Sequence, residues 1–186
     1  MKSTLFLLIR HAESTWNAAG RWQGQGDPPL SPRGRRQARK LAELLSGESI
    51  DVLMSSDLHR ARATAEAIGE RCGLEVQAKR DFRELDVGAW TGLTRSEIAA
   101  RDVEVLKAFE SEDPDVRPGG GETRREIRER VREAACHAAA EHPGDRIALV
   151  THLGTIRALV PGSQPDHGEV QRISLAEILA ASRRSG

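Results

Sequence analysis

Apolar residues run unbroken from Leu5 through Phe6, Leu7 and Leu8 to Ile9, with Thr4, another strand former, just ahead of them. A short continuous apolar run reads as a strand buried on both faces, here over residues 4–9. It stops at Arg10-His11, with neither glycine nor proline to end it. Residues 146–151 repeat the pattern and stop at His152. A second, shorter strand over 51–54 stops at Ser55-Ser56-Asp57, and a third is expected over 74–78.

Between these runs the apolar spacing changes to three and four. Ser31-Pro32 opens a helix that buries Ala38, Leu41, Ala42 and Leu45. Leu58, Ala61, Ala65, Ile68 and Cys72 mark another, ending near Gly73. Thr94 and Glu97 form a capping box for a short helix, followed by a second helical piece over 103–110. Thr123 and Glu126 cap a longer helix with Ile127, Val131, Ala134, Ala135 and Ala138 inward. A short apolar helix is expected from His152 to Val160. Residues 170–175 read as an edge strand, or as the approach to a last helix capped by Ser174 and Glu177.

Strands alternating with helices imply βαβ units. The expected fold is α/β, a three-layer α/β/α sandwich with a mainly parallel central sheet. One domain spans 1–186, with 85–121 as a cap or specificity insertion and 161–186 as a tail of open structure. The stretch 113–121, with two prolines and three consecutive glycines, is either a lid hinge or the entry to the next helix.

At 186 residues, 38% apolar and 30% charged, the chain has the composition of a globular protein. Its formal net charge of zero supplies no field towards nucleic acid or a membrane. No stretch has transmembrane length, and the apolar run after Lys2 is too short for a signal peptide. Cys72 and Cys136 lie in helical patterns and suit a reducing, cytoplasmic compartment. Arg33, Arg35, Arg36, Arg39 and Lys40, and the alternating Arg and Glu after Thr123, read as solvated helix faces.

The chemistry sits where the strands end. One strand delivers Arg10-His11, another the turn leading to His59-Arg60, the last Thr151-His152, and a connecting loop adds Glu84. Each alone reads as an ordinary turn residue. A parallel sheet puts all of them on one edge, where open α/β folds bind ligands. Guanidinium forks match phosphate oxygens, so a phosphate monoester is the natural guest. The rival is a metal held by the histidines and the carboxylate. It lacks a compact ligand spacing, and the arginines would repel the ion. Arg62 competes with Arg60, and Glu13 and Asp86 with Glu84. His59, His137, His142 and His167 read as surface residues, and Trp90 as cleft or core.

Here the motifs resemble those of the histidine phosphatase superfamily, also called phosphoglycerate mutase-like. Arg10-His11-Ala12-Glu13-Ser14-Thr15-Trp16-Asn17 is similar to its leading motif, where glycine is usual at position 12. Gln23-Gly24 with Leu30-Ser31-Pro32-Arg33-Gly34 is similar to the segment that follows. The run from Ser55 to Thr64 resembles its second arginine motif, and Arg83-Glu84-Leu85 before Gly88-Ala89-Trp90 its acid loop. Val150-Thr151-His152 resembles its second histidine motif, with Leu153 where glycine is usual.

The resemblance implies a metal-independent, cofactor-free phosphomonoesterase. His11 is its nucleophile and Glu84 its general acid and base. Arg10, Arg60 and His152 grip the phosphoryl oxygens, and Asn17, Gln23 and Leu153 complete the phosphate site. The expected partner is a small-molecule phosphate ester, not nucleic acid or a membrane, with a homodimer left open. Arg95, Arg101, Lys107 and Arg117 are candidates for a second anionic group. The alternatives are a cofactor-dependent phosphoglycerate mutase, which usually carries a longer insertion before the glycine turn, and a catalytically silent phospho-ligand binding module.

Overall fold

The computed structural model describes residues 3–182. The first strand, β1 (Leu5–Arg10), is followed by a short helix α1 (Thr15–Ala18) and then by α2 (Pro32–Leu45). Next come β2 (Val52–Ser56), α3 (His59–Cys72), β3 (Val76–Lys79) and α4 (Arg95–Glu110). The chain continues with α5 (Arg124–Glu141), β4 (Arg146–Thr151), α6 (Leu153–Leu159), β5 (Val170–Ser174) and α7 (Leu175–Ser182). The strands form one sheet in the order β3-β2-β4-β1-β5, parallel except for β5, which runs antiparallel to β1.

Alternation along the buried strands builds both outer layers. Leu7, Ile9, Leu53, Ala148 and Val150 pack with Leu41, Leu45, Ala61, Ala65 and Ile68 of α2 and α3. Phe6, Leu8, Met54, Ile147 and Leu149 face the other way, onto Ile127, Val131 and Ala135 of α5, Ile156 of α6 and Ile178 of α7. This is the three-layer α/β/α arrangement the spacing implied.

The caps lie where the sequence put them. Ser31 Oγ accepts the Gly34 amide at 2.9 Å, and Thr94–Glu97 and Thr123–Glu126 close reciprocal capping boxes. Gly73 ends α3 in the left-handed region (φ 71°), which starts β3 two residues later than expected, at Val76. The two helical pieces expected after Thr94 are both present: the span labelled α4 is divided by a kink at Asp102, whose backbone is non-helical (φ −134°, ψ 45°). The Asp102 carboxylate accepts the Trp90 indole N–H at 2.7 Å, and Trp90 is a core residue. Both readings of the tail hold: β5 is an edge strand, and Ser174 and Glu177 then start α7.

Candidate active site

Register brings the two histidine motifs together. Arg10 pairs with Thr151 at the ends of β1 and β4, so His11 and His152 leave the sheet side by side. The His11 amide donates to Thr151 O at 2.8 Å, and the two ring centroids lie 5.1 Å apart. His11 Nδ1 is 2.7 Å from the Ala12 carbonyl, which can only accept. That contact places the proton on Nδ1 and leaves Nε2 with a lone pair. Burial above all, and then the Arg60 guanidinium, hold His11 well below the usual histidine range, so the ring is neutral.

Arg60 opens α3 and is completely buried. Its Nε points at His11 Nε2 (3.3 Å), while its two Nη groups donate to Gly26 O (2.6 Å) and Gly24 O (2.9 Å). Burial lowers Arg60 to about 10, against support from Glu84 and Asp27. Gly24 (φ 47°) permits this grip, since a Cβ there would press on Val87 Cγ2 at 2.6 Å. Arg62, the rival, is exposed and lies 3.3 Å from Glu66.

His152 is buried, and neither of its ring nitrogens has a hydrogen-bond partner. Burial and then Arg60 keep it neutral too. Arg10 donates through Nη1 to Pro165 O at 2.9 Å and keeps a buried Nε without a partner. Nearby, the Ser14 amide donates to Asn17 Oδ1 at 3.0 Å, and the Ser14 hydroxyl gives its one proton to Gln23 Oε1 at 2.6 Å. Engaging both amide oxygens leaves both NH2 groups as donors at the cavity. The sequence reading passed over Ser14, a buried serine that sets two amides.

Glu84 is the carboxylate that reaches this space. Its Oε1 accepts the Leu85 amide (2.8 Å) and its Oε2 the Gly154 amide (3.2 Å). Its loop is tied down on all sides. Thr151 Oγ1 donates to Phe82 O at 2.8 Å and Thr155 Oγ1 to Arg83 O at 2.9 Å. Arg83 pairs with Asp57 at 2.6 Å, and Arg130 donates to Asp81 O at 2.7 Å while pairing with Glu122. Arg130 is therefore not part of a purely solvated face; paired with Glu122, it braces the acid loop. The rivals turn elsewhere: Glu13 accepts from Ser31 Oγ (2.6 Å), and Asp86 accepts the Gly88 amide (2.9 Å).

These groups open into a cavity of about 370 Å³ lined by Arg10, His11, Asn17, Gln23, Glu84 and Leu153. Four cations proposed for a second anion do not line it. Arg95 pairs with Glu110, Lys107 with Glu104 and Arg117 with Glu126, while Arg101 is exposed. The walls carry Arg21, Arg124 and Arg157 instead. His167 is a second correction. It is half-buried and not simply solvated: its ring lies 5.7 Å from that of His11, with Nε2 buried and unpartnered. The 161–169 loop is drawn in because Gly168 N donates to Arg10 O (2.9 Å) and Arg10 grips Pro165. Burial, then Arg10, lowers His167 to about 4. Among the described residues no cluster of three or more His, Cys, Asp or Glu side chains has the form of a metal site, and no helix is long and apolar enough to cross a membrane.

A parallel sheet whose strand ends gather two neutral imidazoles, two guanidiniums and a carboxylate defines a phosphate-handling α/β protein. The chain belongs to the histidine phosphatase superfamily (branch 1), whose profile matches residues 6–181. It is 41% identical over 170 residues to phosphoglycerate mutase-like protein 4 of Arabidopsis thaliana, covering 90% of this chain and 74% of that one. It is 42% identical over 159 residues to a metal-independent phosphoserine phosphatase of the same plant, covering 84% and 67%. Among solved structures, a mycobacterial glucosyl-3-phosphoglycerate phosphatase in complex with VO3 superposes with a TM-score of 0.83 at 31% identity, covering 92% of this chain and 90% of that one.

Proposed function

We propose that the chain hydrolyses a small phosphate monoester through a phosphohistidine on His11, without a metal ion. One observation carries the reading: His152, whose ring centroid lies 5.1 Å from that of His11, has no partner on either ring nitrogen, and the buried Nε of Arg10, the residue before His11, has none either. Unpaired buried polar groups are expensive, and a phosphoryl group would accept from Arg10 Nε and from the single N–H of neutral His152 together. The names of the phosphatase relatives support the same reading.

In the first step Nε2 of His11 attacks phosphorus in line, and the P–O bond to the alcohol breaks with its electron pair going to that oxygen. Glu84 gives the leaving oxygen its proton. Arg10, Arg60 and His152 hold the equatorial oxygens and spread their charge, the task that metal ions perform in other phosphoryl transfers. The amides of Asn17 and Gln23 add neutral donors, and Leu153 closes the wall beside His152. In the second step the Glu84 carboxylate takes a proton from water, whose oxygen attacks phosphorus as the P–N bond breaks and its electron pair returns to Nε2, releasing phosphate and restoring neutral His11. At rest Arg60 Nε faces the lone pair of His11, so an entering ester must draw that donor onto its own oxygen.

The test is phosphate release from a panel of metabolite esters, in buffer and after exhaustive chelation. Hydrolysis that survives chelation is expected. An isomerised phosphoglycerate without free phosphate would establish a mutase, and activity restored only by a divalent ion would overturn the mechanism.

A further inference from the structure

His167 takes no part in either half-reaction above, yet the fold holds it against the nucleophile. The 161–169 loop closes round Arg10 on both sides of it. Arg10 N donates to Glu169 O at 3.3 Å, Gly168 N donates to Arg10 O at 2.9 Å, and Arg10 Nη1 donates to Pro165 O at 2.9 Å. Gly168 takes up the turn in the left-handed region (φ 79°), and Asp166 N donates to Glu169 Oε2 at 2.7 Å within the loop. On the loop side the ties to Arg10 use main-chain atoms alone, so they fix the place of residue 167 whatever side chain it carries.

That place is beside His11. The two ring centroids lie 5.7 Å apart with the planes inclined at 59°, the same inclination that His152 makes at 5.1 Å. The His11 ring has two hydrogen bonds, to Ala12 O and from Arg60 Nε. An entering ester takes the second, and a ring left on one hydrogen bond can swing about it. Its neighbours must then fix its plane, since misplacing a reacting atom by about 1 Å costs roughly 10²-fold. His167 is half-buried, with Nε2 inside and unpartnered. Arg10 of β1, Glu13 just beyond it, Arg33 of α2 and Asp166 of its own loop act on the ring electrostatically. Without the ring, the flank of His11 opens towards these charges, a polar space that water would fill.

We infer that His167 is a positioning residue: its ring backs His11, shuts water out of that flank and holds Nε2 of His11 on the line of attack. The assignment rests on the reading of His11 as the nucleophile.

The experiment compares the wild type with His167→Ala and His167→Asn, which leave a gap, and with His167→Phe, which keeps a ring. Either gap variant serves, once thermal unfolding shows that it is folded. Hydrolysis of p-nitrophenyl phosphate, whose leaving group needs no acid, isolates the attack. The gap variants should lose about tenfold in kcat/KM, a partial misplacement, and His167→Phe should recover most of that loss. The inhibition constant of inorganic phosphate, which reads the grip of Arg10, Arg60 and His152, should not change. Full activity in the gap variants, a loss in His167→Phe as large as theirs, or a phosphate constant that rises in step with the lost activity would overturn the assignment and leave the phosphatase reading standing. Nitrogen NMR of the imidazole rings gives a readout without turnover. Burial is the largest cause holding His11 below the usual histidine range, so water admitted by a gap should move its titration upwards, and His167→Phe should not. His11 titrating alike in the wild type and the gap variants would overturn the assignment. If the wild type hydrolyses no ester, the phosphatase reading falls, and this titration alone decides whether His167 backs His11.

Discussion

Adding one methyl group at Gly154 tests the placement of Glu84 without touching its charge. A Cβ built there overlaps Glu84 Oε1 and sits 3.2 Å from the carboxyl carbon and 3.4 Å from Leu85 Cβ. The leucine side is ordinary contact, so the carboxylate is what must give way, by on the order of 1 Å. Misplacement of a reacting group by about 1 Å costs roughly 10²-fold. Loss of stability cannot produce the effect, because Gly154 lies within α6 and alanine is favoured over glycine in a helix by up to about 1 kcal/mol. An alkoxide leaves poorly without a proton, whereas a nitrophenolate departs alone. The ratio kcat/KM reports phosphoenzyme formation and is blind to the later hydrolysis. Gly154→Ala should therefore lower kcat/KM for an alkyl phosphate about 10²-fold and for p-nitrophenyl phosphate only a few-fold. Glu84→Gln should show the same asymmetry with a loss of about 10²–10⁴-fold on the alkyl ester. Equal losses on the two leaving groups, in either variant, would refute Glu84 as the acid.

Acid should destabilise the fold through its neutral histidines. His11 and His152 are depressed when folded, so the unfolded chain binds more protons below pH 6.5, and stability present above that pH is lost as pH falls. At pH 5 the loss is roughly 2 kcal/mol for each imidazole that stays neutral, from its unfolded value alone. It is read as a lower urea midpoint at pH 5 than at pH 7.5, and a midpoint drop no smaller in His152→Asn would contradict it. Arg60→Ala should lower kcat at least 10²-fold, as loss of a charge-stabilising donor does, while Arg62→Ala changes little; similar effects of the two would refute the choice between them. Vanadate should inhibit competitively, because it can expand towards the five-coordinate in-line geometry, and indifference to vanadate well above the enzyme concentration would count against the pocket.

How much of this was legible depends on where each signal resides. The apolar runs of β1 and β4 carry their own period, and their abrupt polar ends placed Arg10, His11 and His152 before any register was known. The choice of Arg60 over Arg62 was carried by motif position, and the helix geometry agrees with it. Ala61, Thr64, Ala65 and Ile68 form the buried stripe of α3, with Arg60 beside them and Arg62 turned outward. Glu84 joined the strand-end cluster as a loop carboxylate with Glu13 and Asp86 as rivals, and only resemblance gave it the acid's role, because an irregular loop has no period. Its position depends on Thr151, Thr155, Asp57 and Arg130, which lie far apart in the chain.

His167 was misread for the same reason. Residues 161–169 have no periodicity, and backbone ties to Arg10, not any pattern of its own, leave the ring half-buried with Nε2 inside. Arg124 and Arg130 were hidden by their setting. On α5 they alternate with glutamates like a solvated face, and only the folded arrangement turns one to the cavity and the other to the acid loop.

The central claim is that Nε2 of His11 carries the phosphoryl group between the two half-reactions. Rapid quenching without acid, using an ester labelled in its phosphate, tests this most directly, since phosphohistidine is acid-labile and base-stable. The account predicts stoichiometric label on His11, absent from His11→Ala together with turnover. Label found on another residue, or appreciable turnover by His11→Ala, would contradict it.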